Sequence, residues 1–333
     1  MRCPSIPHTS ATDFKEAFEK DYCTPRPDIL LRIMDMYHIN TEHYNRSFPV
    51  VQSSGMGKSR LMDHSATLRF AIPFNVHEKM DPGTKTYPPF DHEDREYLTK
   101  EFEHEVDAIT RPLVFLQALF NETVAELQSQ KTEITKGTPQ EIAGKWYNWM
   151  KDGSTVDNVG PNRTMLYDRV VKKAKELEAL QPPKYQKPLV HRAEALRVAA
   201  ESLVNFLKKL YKTSVKFYAI VYFDEAHTLS LPSNKSHRRT PYYALMHVLN
   251  MIRKTPIFFV FLSTNSSLQT FTPSNSAYPS IRVQNDTKLI PPFFELPFDN
   301  FARKFTSEAK EVGKLTLAGV CELGQMTKFG RPM

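Results

Sequence analysis

The sequence predicts an α/β protein, a parallel sheet with helices on both faces and a large helical insertion between its second and third strands. Three observations carry this. Two near-continuous β-branched and aromatic runs, at 215–225 and 256–265, have the composition of strands buried on both faces. A shorter apolar run, 48–51, leads through a turn of small residues into a helix. The stretches between these runs carry apolar residues at helical spacing, and strands alternating with helices imply right-handed parallel crossovers.

Residues 1–46 read as a helical preface. Apolar residues share one face of 12–18, and Pro27-Asp28 opens a second helix over 29–36, where proline and aspartate suit a first turn. The main α/β domain is then expected over 47–333. After the 48–51 strand and its helix, 67–76 reads as a second strand, with Pro73 marking an edge position or a distortion. A loop at 83–89 precedes a helix at 91–98, whose first turn holds the acids that a helix dipole prefers there.

From about 104 to 211 the signal is mainly helical, and this is the expected insertion. Its first helix, 105–127, contains Pro112, which should kink or divide it. Helices at 141–150, 162–180 and 189–211 follow, separated by Gly153-Ser154 and Gln181-Pro182-Pro183. Beyond the 215–225 strand come a helix at 241–254, the 256–265 strand, a polar loop at 266–286, a last strand at 292–296 and a helix at 300–312.

The 333 residues are 41% hydrophobic and 24% charged, which is ordinary for a globular chain with a sizeable core. Net charge is +7, which favours anionic partners: nucleotide first, nucleic acid more weakly. Lys172-Lys173, Lys208-Lys209 and His237-Arg238-Arg239 are scattered and read as solvated faces. Cys3, Cys23 and Cys321 have no CxxC spacing, so neither a disulfide framework nor a zinc site is expected, and a reducing compartment fits. The N-terminus lacks an apolar signal run, and no window approaches the roughly 18 apolar residues of a membrane span. Cytoplasm or nucleus is the expected location, without a membrane partner.

Two stretches carry chemistry. In Gln52-Ser53-Ser54-Gly55-Met56-Gly57-Lys58-Ser59-Arg60, a turn of small residues aims successive backbone N–H groups into one concavity at a helix N-terminus. A polyphosphate fits there, with Lys58 on the terminal phosphates and Ser59 on a magnesium ion. Gln52 stands where the full pattern has its first glycine. The second stretch, Phe223-Asp224-Glu225-Ala226-His227, closes the strongest strand. A carboxylate there can hold the magnesium, for which Asp224 is placed, and Glu225 can polarise an attacking water.

The Gly-Lys-Ser turn, the Asp-Glu strand end and Leu262-Ser263-Thr264-Asn265 resemble the Walker A, Walker B and sensor 1 elements of P-loop ATPases. The division is the one containing AAA+ and STAND proteins, in which an extra strand separates the Walker A and Walker B strands. The turn is also similar to uncharacterised fungal AAA-like proteins, some related to the NTPase region of Crinkler effectors. The resemblance implies ATP and Mg2+ as cofactors, with Asn265 or Thr264 orienting the water. Phe329-Gly330-Arg331-Pro332 resembles a sensor 2 arginine, but the sequence stops at Met333, which leaves the lid missing or incomplete. Arg238, Arg239, Arg253, Arg282 and Arg303 are candidate arginine fingers, with nothing to select among them.

Two rival classes stay open. One is a nucleotide-binding switch or effector-like protein without turnover, acting on a protein partner or on itself through the helical insertion. The other is a nucleic-acid motor, since Asp224-Glu225-Ala226-His227 spells the motif of DEAH helicases, although a second motor domain has no room after residue 300. Asn234-Lys235-Ser236-His237 lacks the aspartate that reads guanine, and no His-Glu pair has a second histidine at zinc-protease spacing.

Overall fold

The computed structural model describes residue 18 and residues 25–39, 42–53, 55–78, 88–100, 102, 104–130, 133–180, 187–231, 240–264 and 288–296. Helix α1 (Arg26–Ile39) leads to β1 (Ser47–Val51), α2 (Lys58–Leu68) and β2 (Ala71–Asn75). Five helices follow: α3 (His92–Thr99), α4 (Glu105–Ser129), α5 (Pro139–Lys151), α6 (Pro161–Ala179) and α7 (Pro188–Leu210). Then come β3 (Ala219–Asp224), a 3-10 turn (Ala226–Ser230), α8 (Pro241–Met251) and β4 (Ile257–Ser263).

The four strands form one all-parallel sheet in the order β1-β4-β3-β2. Strand β4 therefore lies between the strand that feeds the small-residue turn and the strand that ends in Asp224. Outside β1, the segment 288–296 adds parallel bridges from Lys288 to His43 and from Phe293 to Val50. The strand expected at 292–296 is thus a bridge only. Phe293 N donates to Pro49 O at 2.9 Å, but Pro291 and Pro292 have no N–H to extend a ladder.

Side chains alternate between two cores, as a pleated strand requires. Ile72, Phe74, Val221, Phe223, Phe259 and Phe261 face one layer, which includes Leu116 of α4, Val170 of α6, Leu203 of α7 and Leu249 of α8. Phe48, Val50, Ile220, Phe258, Val260 and Leu262 face the other, against Leu30 and Met34 of α1 and Leu61 of α2. Helices therefore cover both faces. Phe74, Phe223 and Phe261 are register partners on adjacent strands, and their rings stack in sequence at 5.2 and 5.4 Å.

Among the described residues, the outer edge of β2 is closed by side chains and not by a further strand. Trp146 Nε1 of α5 donates to Ala71 O (2.9 Å), and Arg163 Nη2 of α6 donates to Pro73 O (3.2 Å), which also accepts from the Tyr167 hydroxyl. Asn75 N donates to Asp91 Oδ2 (2.7 Å), and Asp91 N returns a bond to Asn75 O (2.9 Å). Pro73 sits where its missing N–H has no ladder partner, so the edge position expected for it holds.

Two local expectations are corrected. Thr67 and Leu68 do not begin a strand; they finish α2, where Thr67 Oγ1 donates to His64 O and Arg69 N closes the last turn on Ser65 O at 3.0 Å. Pro112 does not divide the following helix, because α4 runs unbroken from Glu105 to Ser129. Leu113 to Leu116 and Ala118 to Phe120 are wholly buried there, and that burial outweighs the roughly 3 kcal/mol cost of an interior proline. The expected loop at 266–286 and helix at 300–312 lie outside the described residues, as do Arg331 and the 12–18 helix apart from Phe18. Among the described residues, no helix is long and apolar enough to cross a membrane.

Candidate functional site

The residues with the strongest chemical signal converge at the carboxyl ends of β1 and β3. Past Val51 the chain keeps one more contact with β4, Gln52 N to Ser263 O at 3.3 Å, and then turns. Gly55 and Gly57 have φ of 77° and 82°, in the left-handed region that favours glycine. A Cβ on Gly57 would meet nothing within 4 Å, so the requirement there is one of backbone and not of space. Gly57 is the N-cap of α2, and no side chain caps that helix end. Its leading N–H groups and the positive end of its dipole are what an anion would meet.

Lys58 is the first residue of α2 and is 5% exposed. Its Nζ donates to Gln52 O (2.8 Å) and Ser53 O (3.1 Å), the carbonyls that open the turn. Burial holds its pKa below the ordinary lysine value, while the charges of Glu225 and then Asp224 pull it back up. The Ser59 hydroxyl lies close enough to the Asp224 carboxylate to favour its ionised form. Residues from the start of α2 and the end of β3 thus meet.

Asp224 is 5% exposed, and burial, with the Glu225 charge added, pushes its pKa up to about 6. The Ser59 hydroxyl, the Lys58 ammonium and the Glu225 amide, 2.9 Å from Oδ1, act in the opposite direction. Glu225 has φ 52°, and among the described residues it is the single non-glycine with positive φ. Such a conformation is held by its surroundings and concentrates at functional sites. His227 Nδ1 stands 3.2 Å from Glu225 Oε2, a close charge contact without the alignment of a hydrogen bond. His227 beside it, and then Lys58, hold the Glu225 pKa below the ordinary glutamate value, and Glu225 raises that of His227.

Lys58, Ser59, Asp224 and Glu225 are therefore brought together as the sequence led one to expect. Ser53 contributes its carbonyl, Gly55 and Gly57 the backbone path, Met56 is buried beside the turn, and half-buried Arg60 follows in the first turn of α2. Ser54 and Asn265 lie outside the described residues. Two participants had no clear sequence signal. Gln52 braces the turn, its Oε1 accepting from Ser53 N (3.2 Å) and its Nε2 donating to Phe294 O (3.3 Å). His227 restrains Glu225, and its one sequence clue was its place in the Asp-Glu-Ala-His spelling.

A hydroxyl and a buried carboxylate with a raised pKa are hard oxygen ligands of the kind magnesium takes. An ammonium at a helix N-terminus with uncapped amides suits phosphate oxygens. The donor set fits both groups. No family model matches the chain, and neither curated proteins nor solved structures give a match.

Proposed function

We propose that the protein binds ATP with magnesium and hydrolyses it, on a core of the P-loop type in which α4–α7 form the helical insertion. The observation that carries this is the contact of Ser59 with Asp224 beside Lys58, a hydroxyl, a carboxylate and an ammonium joined from two segments far apart in the sequence. The strand order supports it, since β4 separates β1 from β3 as in the AAA+ and STAND division. Lys58 and the turn amides would hold the β- and γ-phosphates, Ser59 and Asp224 the magnesium, and Glu225 the attacking water. Bound magnesium would supply charge neutralisation at the phosphates. Lys58→Ala should weaken ATP binding tenfold or more, by about 1.4 kcal/mol or above, in a titration with a fluorescent analogue. Unchanged affinity would overturn the reading. Glu225→Gln should retain binding and lower phosphate release about a hundredfold.

One observation favours a second reading, a nucleotide-holding switch without turnover. The Glu225 carboxylate is engaged by His227 and its backbone is fixed in the left-handed region. A phosphate-release assay run beside the binding titration separates the two. Saturable binding with no release, in the presence or absence of DNA or RNA, would select the switch, acting on a protein partner or on itself through the insertion.

A further inference from the structure

We propose that a cavity at the carboxyl end of β2, between α3 and α6, binds a small organic cation bearing an alkylammonium or guanidinium group. The proposal is independent of the nucleotide reading, because it concerns the opposite edge of the sheet from β1. The cavity has a volume of about 330 Å³, and five acidic residues, Asp91, Glu93, Asp94, Asp157 and Asp168, are among those that line it.

Asp94 is the decisive residue. It is 1% exposed and lines the cavity, yet its Oδ1 has no hydrogen-bond partner. Burying an unmatched carboxylate is costly, so such a group either keeps a proton or awaits a cation. The nearby cation that acts on it is Arg163, which is already forked onto Asp91, Nε to Oδ1 at 2.9 Å and Nη2 to Oδ2 at 2.5 Å. Asp91 is thereby satisfied and Asp94 is not.

The cavity holds many times the roughly 30 Å³ that one water occupies in the liquid. Phe90, Val156, Val159 and Tyr167 also line it, giving apolar walls along which a carbon stem can lie. A bare divalent ion would leave most of that space unfilled, and the trio that could converge on a metal among the described residues, His92, Glu93 and Glu96, is exposed. Buried negative charge flanked by aromatic and aliphatic walls matches an ammonium or guanidinium on a hydrocarbon stem.

Burial first, then the charges of Asp91 and Asp168 against that of Arg163, hold the Asp94 carboxyl well above the ordinary range. Tyr167 faces it from α6, and His92, Glu93 and Asp157 stand at the same cavity. Cation binding should therefore displace a proton and strengthen as pH rises.

The test is calorimetric titration of the full chain at low salt with spermidine, with acetyl-arginine amide and with Mg2+. The expected result is one site for an organic cation, with a heat that depends on the ionisation enthalpy of the buffer at pH 7. Asp94→Asn and Asp168→Asn should each weaken binding at least tenfold. Tighter binding of spermidine assigns a free polyamine, and tighter binding of the arginine amide assigns a basic side chain of a partner; both support the proposal. Absence of heat from both organic probes at millimolar concentration overturns it, as does their displacement by equimolar Mg2+. Unchanged affinity in Asp168→Asn, an exposed substitution that leaves the core intact, overturns it even if Asp94→Asn fails to fold.

Discussion

Asp224 is a carboxylate that folding makes harder to ionise, and this has a measurable consequence. Its pKa rises from an ordinary 3.8 to about 6, with burial the largest cause. Below the unfolded value both states are protonated and the group contributes nothing. Above about pH 6 both are ionised, and the folded state carries a penalty of roughly 3 kcal/mol, two pH units at about 1.4 kcal/mol each. Through Asp224 alone, stability should fall as pH rises from about 4 to about 6. Asp224→Asn should then melt higher than the parent at pH 7.5 and close to it at pH 4, which thermal unfolding at the two pH values measures. The same proton would compete with the magnesium ion proposed at Asp224. Magnesium-dependent nucleotide affinity should weaken about tenfold per unit as pH drops below 6. Insensitivity of that affinity between pH 7 and pH 5 would remove Asp224 from the metal site.

The edge of β2 shows how one strand is completed by other elements. Three successive outward-facing positions, Ala71, Pro73 and Asn75, are satisfied in turn by Trp146 of α5, by Arg163 and Tyr167 of α6, and by Asp91. Arg163→Met leaves Asp91 buried without its ion partner, so urea denaturation should show a loss of about 3–5 kcal/mol. Adding Asp91→Asn to that variant should recover part of the loss, because the stranded charge is removed. Trp146→Phe keeps the ring that stacks on Phe70 at 5.1 Å but orphans Ala71 O, at an expected cost of about 1–3 kcal/mol. Pro73 announced the edge in the sequence, and Lys58, Ser59, Asp224 and Glu225 were equally legible, since each lies in a contiguous run whose spacing carries its chemistry. Arg163, Trp146 and Gln52 were not. Their partners lie in other elements, and no local pattern distinguishes an arginine that caps a strand from one that faces water. The strand start at Thr67 and a division at Pro112 were misread for a related reason: burial of neighbouring helical residues decided both helices, and local propensity did not.

At the scale of the whole molecule, the helices between β2 and β3 form part of the core that supports the sheet. Leu116, Val170 and Leu203 from α4, α6 and α7 share one buried cluster with Phe74, Val221 and Phe223, while α5 and α6 also close the edge of β2. Replacing 139–210 by a Gly-Ser linker would uncover part of those strand residues and leave the outward carbonyls of Ala71 and Pro73 without donors. A four-stranded sheet left with only α4 and α8 over that core has too little apolar burial to offset its chain entropy. The shortened chain should therefore lose its cooperative thermal transition and bind a hydrophobic dye, and nucleotide affinity should vanish with it. The last point follows because Asp224 reaches Ser59 only from the end of an ordered β3. A shortened chain that still melts cooperatively and binds nucleotide would instead make α5–α7 an appendage, and would leave α4 and α8 sufficient to cover that face.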